Sequence, residues 1–409
     1  MPETLGFDTA RLNRIDRFLN DKYISTGILP HAQLLISRHG EIAHFSSQGP
    51  AREGSVAPID EGSLFRIASM TKPVTSVATM MLVEDGLIAL DTPVDTVLPE
   101  FRGVGVYNGG GGGAPFMTKP TARPMQIIDL LRHTSGLTYG FQYRSNVDAA
   151  YRKDGVNADR VVNWHGGFDL DHFVTELGKV PLEFSPGEAW NYSVSTDVLG
   201  ALIQRVSGLP LDRFFRERIF APLGMDDTGF MVPPEKADRL TDCYTWTGPG
   251  GSRVMFDRGA ESLWLKTPTF FSGGGGLVST ALDYHRFCRM LANGGELDGA
   301  RLLGRKTIDL MTMNHLPGRA DLVTLSRSMF SESTNAGAGF GLGFAVIDDV
   351  AKTTIPGSVG DYYWGGIFST AFFIDPVEKL HMIFMTQSSP SSLHPLRREL
   401  KTMIHAALT

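Results

Sequence analysis

Leu12, Ile15 and Leu19 recur three and four residues apart, the spacing that stacks side chains on one face of a helix. Residues 32–37 and 41–46 then flank His39-Gly40 in the manner of a β-hairpin around a tight turn. A second helix is predicted from about Met70, with Val74, Val77 and Met81 on one face and Gly86 as its stop. Pro73 limits where that helix starts, because proline costs little only in the first turn, whose N–H groups have no partner within the helix. The helix therefore begins at or just after Ser69.

From Leu90 to about Phe270 the periodicity breaks into short helical segments and loops. The glycines at 109–113 promise a flexible loop rather than a phosphate cradle. Strand patterns return at 341–348, 354–359, 367–374 and 379–386, and a closing helix carries Leu396, Leu400 and Ile404. Strands at both ends around a helical middle imply one scaffold at 1–85 and 271–409, interrupted by a mainly helical, loop-rich region at 86–270. No internal repeat of 20–50 residues is present.

Composition narrows the class of protein. With 42% hydrophobic and 20% charged residues in 409, the chain is neither disordered nor built to lie within a membrane. Its 46 glycines and 23 prolines point to many tight turns and irregular loops. A formal charge of −6 gives no general attraction to nucleic acid or anionic lipid. The first twenty residues lack the basic start and apolar run of a secretory signal, and apolar runs such as 77–83 fall far short of the roughly 20 residues that span a bilayer. The expectation is a soluble cytoplasmic protein. Its two cysteines, Cys243 and Cys288, lie outside any C-x-x-C and cannot form a disulfide framework.

The chain holds a single S-x-x-K, Ser69-Met70-Thr71-Lys72, at the start of the helix that Pro73 delimits. One helical turn separates Ser69 from Lys72, so both fall on the same face. A serine hydroxyl becomes a nucleophile once a base takes its proton, and a partly buried lysine can act as that base or lower the pKa of another. The other hydrolase signatures are missing: there is no G-x-S-x-G and no H-E-x-x-H, and the eleven histidines show no ligand-like pairing. His165-Gly166-Gly167 reads as a turn. The glycines at 273–276 lack the Lys-Ser/Thr of a P-loop and read as a packed turn entering a helix.

Ordered blocks along nearly the whole chain resemble the serine β-lactamase and penicillin-binding proteins, and within them the class C β-lactamase-like carboxylesterases, or family VIII esterases. They are Leu64-Phe65-Arg66-Ile67-Ala68-Ser69-Met70-Thr71-Lys72, His133-Thr134-Ser135-Gly136-Leu137, Phe184-Ser185-Pro186-Gly187 before Trp190-Asn191-Tyr192-Ser193, and Pro222-Leu223-Gly224-Met225. Gly275-Gly276-Leu277-Val278-Ser279-Thr280 follows, and then Trp364-Gly365-Gly366 before a strand ending in Ile374-Asp375-Pro376. The fold this implies is α+β, an antiparallel sheet flanked by helices and built from both chain ends, plus a mostly helical domain.

Carried over position by position, the resemblance makes Ser69 the acylated nucleophile, Lys72 its partner and Tyr192 the family tyrosine. A phenol ordinarily titrates near pH 10 and needs a neighbouring cation to act as a base at neutral pH, which Lys72 would supply. Tyr23 and Tyr143 also fit a loose Y-x-N/S string but lack the Pro-Gly…Trp context. The oxyanion hole would be the backbone N–H groups of Ser69 and Ile367. Trp364, Gly365, Gly366, Val194, Tyr139 and Gln142 would line the substrate pocket, while His133 reads as an internal hydrogen-bonding residue.

Two departures bear on the substrate. Val194 stands where class C β-lactamases have an asparagine, and it cannot hydrogen-bond a cephalosporin amide. Trp364-Gly365-Gly366 replaces K-T-G, removing a cation for the antibiotic carboxylate. Both favour a carboxylesterase for short-chain or aryl esters, small molecules turned over without metal or organic cofactor. The remaining alternatives are a β-lactamase or D,D-peptidase, an acyltransferase to a small acceptor, and a catalytically silent binding protein.

Overall fold

In the computed structural model, residues 1–55, 57–153, 156, 164–327 and 335–409 are described. Helix α1 (Thr9–Leu19) starts at Asp8, whose carboxylate accepts from the Arg11 amide at 3.1 Å, and it buries Leu12, Ile15 and Leu19. The hairpin follows as β1 (Ala32–Arg38) and β2 (Glu41–Gln48). Its turn residues, His39 and Gly40, both have positive φ (54° and 83°), matching the twist of the strands they join.

The C-terminal part supplies β3 (Ala338–Phe340), β4 (Ala345–Ile347), β5 (Tyr362–Gly365), β6 (Ala371–Asp375) and β7 (Leu380–Met385). Together they form one seven-stranded antiparallel sheet of order β3-β4-β5-β6-β7-β1-β2. The two ends of the chain meet at β1 and β7, where Gln33 faces Met385 and Arg38 faces Leu380. The expected α+β sheet from both termini is thus the observed one.

Strand alternation divides the core between the two faces. Leu34 and Ile36 of β1 pack with α1 and with the closing helix through Leu400 and Ile404, whereas Leu35 joins the larger core on the other face. That larger core holds α2 (Thr71–Glu84), α3 (Ser195–Ser207) and α4 (Ala281–Ala292); the closing helix is α5 (Leu396–His405). Helix α2 packs on α3 and is buried almost all round, its polar Thr71, Lys72, Thr75, Ser76 and Thr79 included, while α4 lies against β7 and β1. Among the described residues no helix is long and apolar enough to cross a membrane.

Several expected elements differ. The run 341–348 is a strand only from Ala345, because 341–344 form the turn between β3 and β4, closed by the Gly341 amide on Phe344 O at 2.7 Å. No strand forms at 354–359. Thr354 sits at φ 57° as the cap of a short helix, and Pro356 lacks the amide a ladder needs. The strand β5 lies just beyond, where none was expected. The strand predicted at 367–374 begins at Ala371, since 366–370 turn back with Gly366 N on Thr370 O at 2.8 Å. Residues Val106–Gly111 and Ala114–Lys119 pair as a hairpin, so the glycines at 109–113 are in a ladder and its turn rather than a free loop.

Candidate active site

Ser69 lies in a single 3₁₀ turn, Ala68–Met70, leading into α2, and Pro73 falls in the first turn of that helix. Ala68 has φ 44°, uncommon for a residue with a side chain, so the backbone is held in a costly conformation immediately before Ser69. Tyr284 of α4 fastens this segment by donating its hydroxyl to Met70 O at 3.0 Å.

Ser69 Oγ accepts two hydrogen bonds, from Lys72 Nζ at 3.2 Å and from the Tyr192 hydroxyl at 2.7 Å. Lys72 is buried, and its ammonium group also donates to Gly274 O at 2.6 Å. It stands 4.7 Å from the ring centre of Tyr192 and 5.4 Å from that of Tyr139. Such faces attract a cation and keep water from it.

The Gly274 carbonyl is aimed by Asp197 of α3. That buried carboxylate accepts from the Gly274 amide at 3.0 Å and from Ser272 Oγ at 2.6 Å. A Cβ on Gly274 would lie 2.6 Å from Asp197 Oδ2, so glycine is required for the approach. No sequence pattern marks Asp197, Ser272 or Gly274 for the site, and the glycines at 273–276 read there as a scaffold turn. A carboxylate five residues after Tyr192 matches no spacing rule, so only the folded chain brings the two segments together.

Tyr192 is held on all sides. Its ring packs against His133, Tyr139 and Trp364 with centroids 5.0, 5.2 and 5.4 Å away, and stacks on Trp190. Its carbonyl accepts from Gln142 Nε2 at 2.6 Å. His133 is buried, with Nδ1 3.2 Å from Ser193 Oγ in a chain of hydroxyls that continues to Ser195 and Ser135. Burial first, and the Lys72 charge second, push its pKa well below the usual imidazole value, so the ring is neutral.

A cavity of about 390 Å³ opens over Ser69. Its wall includes Tyr139, Tyr192, Trp364, Gly365, Gly366 and Ile367, with Phe141, Trp164, Phe256, Trp264 and Phe368 widening the aromatic surface. Trp364 is half-buried, edge-on to Phe340 at 5.3 Å, and its indole N–H has no partner among the described residues. Ile367 is 41% exposed at the cavity mouth.

Two residues expected in the pocket are not in its wall. Val194 immediately precedes α3, with its side chain in the core and its amide on Thr138 O at 3.2 Å. Gln142 has its amide group engaged by the Tyr192 carbonyl, so it bears on the site through Tyr192.

Among the described residues, Asp361, Asp375 and His405 alone bring three metal-competent atoms within 4.8 Å of one another. Lys401 Nζ already sits 2.6 Å from Asp361, supplying the positive charge at that place.

A sheet made from both chain ends, with a serine leading the central helix into a cleft beside it, defines the β-lactamase/transpeptidase class of fold. The Beta-lactamase family model matches residues 20–403, and the chain belongs to that family of serine hydrolases. It is 31% identical to Esterase EstB of Burkholderia gladioli over 422 residues, covering 99% of this chain and 98% of that one. With Lovastatin esterase of Penicillium rubens it shares 31% identity over 79% of each chain. The solved structure of EstCE1, described as a hydrolase with promiscuous acyltransferase activity, superposes with a TM-score of 0.80 over 99% of both chains at 24% identity. The family resemblance drawn from the motif blocks is therefore correct, and the chain is a β-lactamase-family hydrolase, esterase or acyltransferase.

Proposed function

We propose that the protein is a serine carboxylesterase that hydrolyses short-chain or aryl esters of small molecules through an acyl-enzyme on Ser69. The observation that carries this reading is the simultaneous hydrogen bonding of Ser69 Oγ to Lys72 Nζ and the Tyr192 hydroxyl, inside an aromatic-walled cavity. In the form of the pair that carries one proton fewer, a Tyr192 phenolate beside the Lys72 ammonium group, Ser69 Oγ attacks the ester carbonyl carbon as its proton passes to the Tyr192 oxygen. The negative charge that develops on the carbonyl oxygen is met by the amides of Ser69 and Ile367. As the C–O bond to the alcohol breaks, the same proton goes to the departing oxygen. Water then attacks the acyl-enzyme, gives a proton to the pair, and releases the acid as Ser69 recovers its own.

The preference for an ester over a β-lactam rests on Trp364, which puts an indole where a carboxylate-binding cation would stand. An uncharged ester needs no such cation, and the aromatic wall favours apolar or aryl groups. The relationship to Esterase EstB supports the same choice.

The test is an initial-rate comparison of p-nitrophenyl butyrate with nitrocefin, together with intact mass after exposure to an activated phosphonate. Ester turnover exceeding that of nitrocefin, and one phosphonyl adduct on Ser69, are expected. Faster nitrocefin turnover, or no adduct, would refute the proposal.

A further inference from the structure

Helix α5 begins beside the loop that joins β5 to β6, and its second residue, Arg397, lies on that loop. A Cβ on Gly365 would stand 2.5 Å from Arg397 Cζ, so the glycine admits the guanidinium to the backbone. Arg397 Nη2 then donates to Gly366 O at 2.7 Å and to Thr370 O at 3.0 Å, and the Ser369 amide shares Gly366 O at 3.1 Å within the turn.

These contacts fix a peptide plane. The Gly366 amide donates to Thr370 O at 2.8 Å, so the N–H and C=O of Gly366 both face β6 and Arg397. In a trans peptide the Ile367 N–H runs opposite to the Gly366 C=O, so it is directed away from Arg397. The loop also lies against the nucleophile segment: a Cβ on Gly366 would meet Thr370 Oγ1 first, then lie 2.6 Å from Ile67 O and 3.1 Å from Ala68 Cβ. The loop thus runs against the residues just before Ser69, and the Ile367 amide makes no other hydrogen bond among the described residues.

We propose that Arg397 is a positioning residue for the oxyanion hole: through Gly366 O it holds the Gly366–Ile367 peptide so that the Ile367 N–H points at the oxyanion. This role rests on the reading of Ser69 as nucleophile and of the Ile367 amide as an oxyanion donor. Arg397 acts through one peptide bond and needs no contact with substrate. A charge-assisted donor on the carbonyl oxygen strengthens the opposite N–H as a donor, because the peptide is polarised as a unit. The fork of the guanidinium reaches two carbonyls at once, which a lysine ammonium does with less definition.

The experiment compares wild type with Arg397→Met and Arg397→Lys in the full chain, after titrating active sites with the phosphonate so that rates refer to folded, competent enzyme. For p-nitrophenyl butyrate, kcat of Arg397→Met is expected to fall about 10–100-fold, less than the 10²–10³ lost when an oxyanion donor is removed outright, with KM within about 2-fold. Binding of a trifluoromethyl ketone, whose tetrahedral adduct carries an oxyanion, should weaken by the same factor as kcat/KM. A merely structural role would change the titratable fraction and the melting temperature but leave that affinity intact. Arg397→Lys should fall between wild type and Arg397→Met, and it carries the test if Arg397→Met does not fold. Unchanged ketone affinity in the variant that folds overturns the Arg397 role while leaving the esterase reading in place. A wild type that takes no phosphonate and turns over no ester overturns both.

Discussion

Lys72 Nζ is closer to the carbonyl oxygen of Gly274 (2.6 Å) than to Ser69 Oγ (3.2 Å), although Gly274 is 202 positions away and Ser69 only three. The helical turn brings lysine and serine onto one face, but the glycine loop aims the ammonium group. That loop is in turn held by Asp197, so the two parts of the cleft are coupled through a single carbonyl.

Asp197→Ala should therefore reduce both stability and rate. The variant leaves the buried Gly274 amide and Ser272 hydroxyl without their acceptor, which costs about 1–3 kcal/mol per group. A lowered melting temperature and a lower kcat per titrated active site are expected. A variant with wild-type kcat would show that the carboxylate does not aim Lys72.

Tyr192→Phe removes one oxygen and keeps the ring that packs against His133, Trp190 and Trp364. The melting temperature should stay close to wild type while kcat falls roughly 10²–10⁴-fold, the range for losing a positioned proton acceptor. Stopped-flow measurement of p-nitrophenol release reads acylation directly. Undiminished acylation would move the base elsewhere.

Gly366→Ala places a methyl group 2.6 Å from Ile67 O, a backbone atom that cannot swing aside. The β5–β6 loop and the Ser69 segment must separate, at roughly 1–3 kcal/mol of stability. Displacement of the reacting groups by such a shift is expected to lower kcat about 10²-fold. Thermal melts and steady-state kinetics on the same preparation check both parts.

Trp364 offers its indole to the cavity and to Tyr192. Truncation to Ala should weaken kcat/KM for an aryl ester by about 2–12-fold, the equivalent of roughly 0.5–1.5 kcal/mol for an aromatic pair. Ethyl acetate, which has no aryl group to stack on the indole, should lose less. Equal losses for both substrates would make Trp364 a packing residue only.

His285 Nδ1 and His381 Nε2 are 2.7 Å apart and buried between α4 and β7. Burial pushes His285 down to about 4 and His381 well below the ordinary value of 6.5, with Arg286 and Arg289 adding to the shift for His285 and with His285 and Arg289 adding to it for His381. The unfolded chain therefore binds more protons than the folded one between these values, so the contribution to stability is full above about pH 6.5 and declines as pH falls toward 4. His285→Asn should flatten the dependence of melting temperature on pH across that window relative to wild type. Parallel curves for the two proteins would exclude the pair as the cause.

The site was legible where chemistry coincides with local spacing. Ser69 and Lys72 are one helical turn apart, and Pro73 limits where the helix can begin, so their proximity follows from a short stretch of chain. Tyr192 was legible only through the Pro-Gly…Trp blocks around it. The family resemblance implies Val194 and Gln142 as pocket residues, yet one faces the core just before α3 and the other bonds Tyr192 O. A place in or near a motif block does not determine where a side chain points when the chain there is neither a continuous helix nor a strand. The residues Tyr362 to Gly365 show no simple alternation, and β5 forms because its pairing with Ala371–Asp375 stabilises it from outside.

The sequence by itself determined the two-ended sheet, the helix that begins at Ser69 and the family, because periodicity and motif blocks are properties of neighbouring residues. The tertiary structure decided which carbonyl aims Lys72, which way the Ile367 amide points and what lies over Gly365. Those depend on contacts between segments such as Lys72 and Gly274, or Gly366 and Arg397, that no local pattern encodes. Their geometry arises only when the core packs and each buried polar group must find a partner.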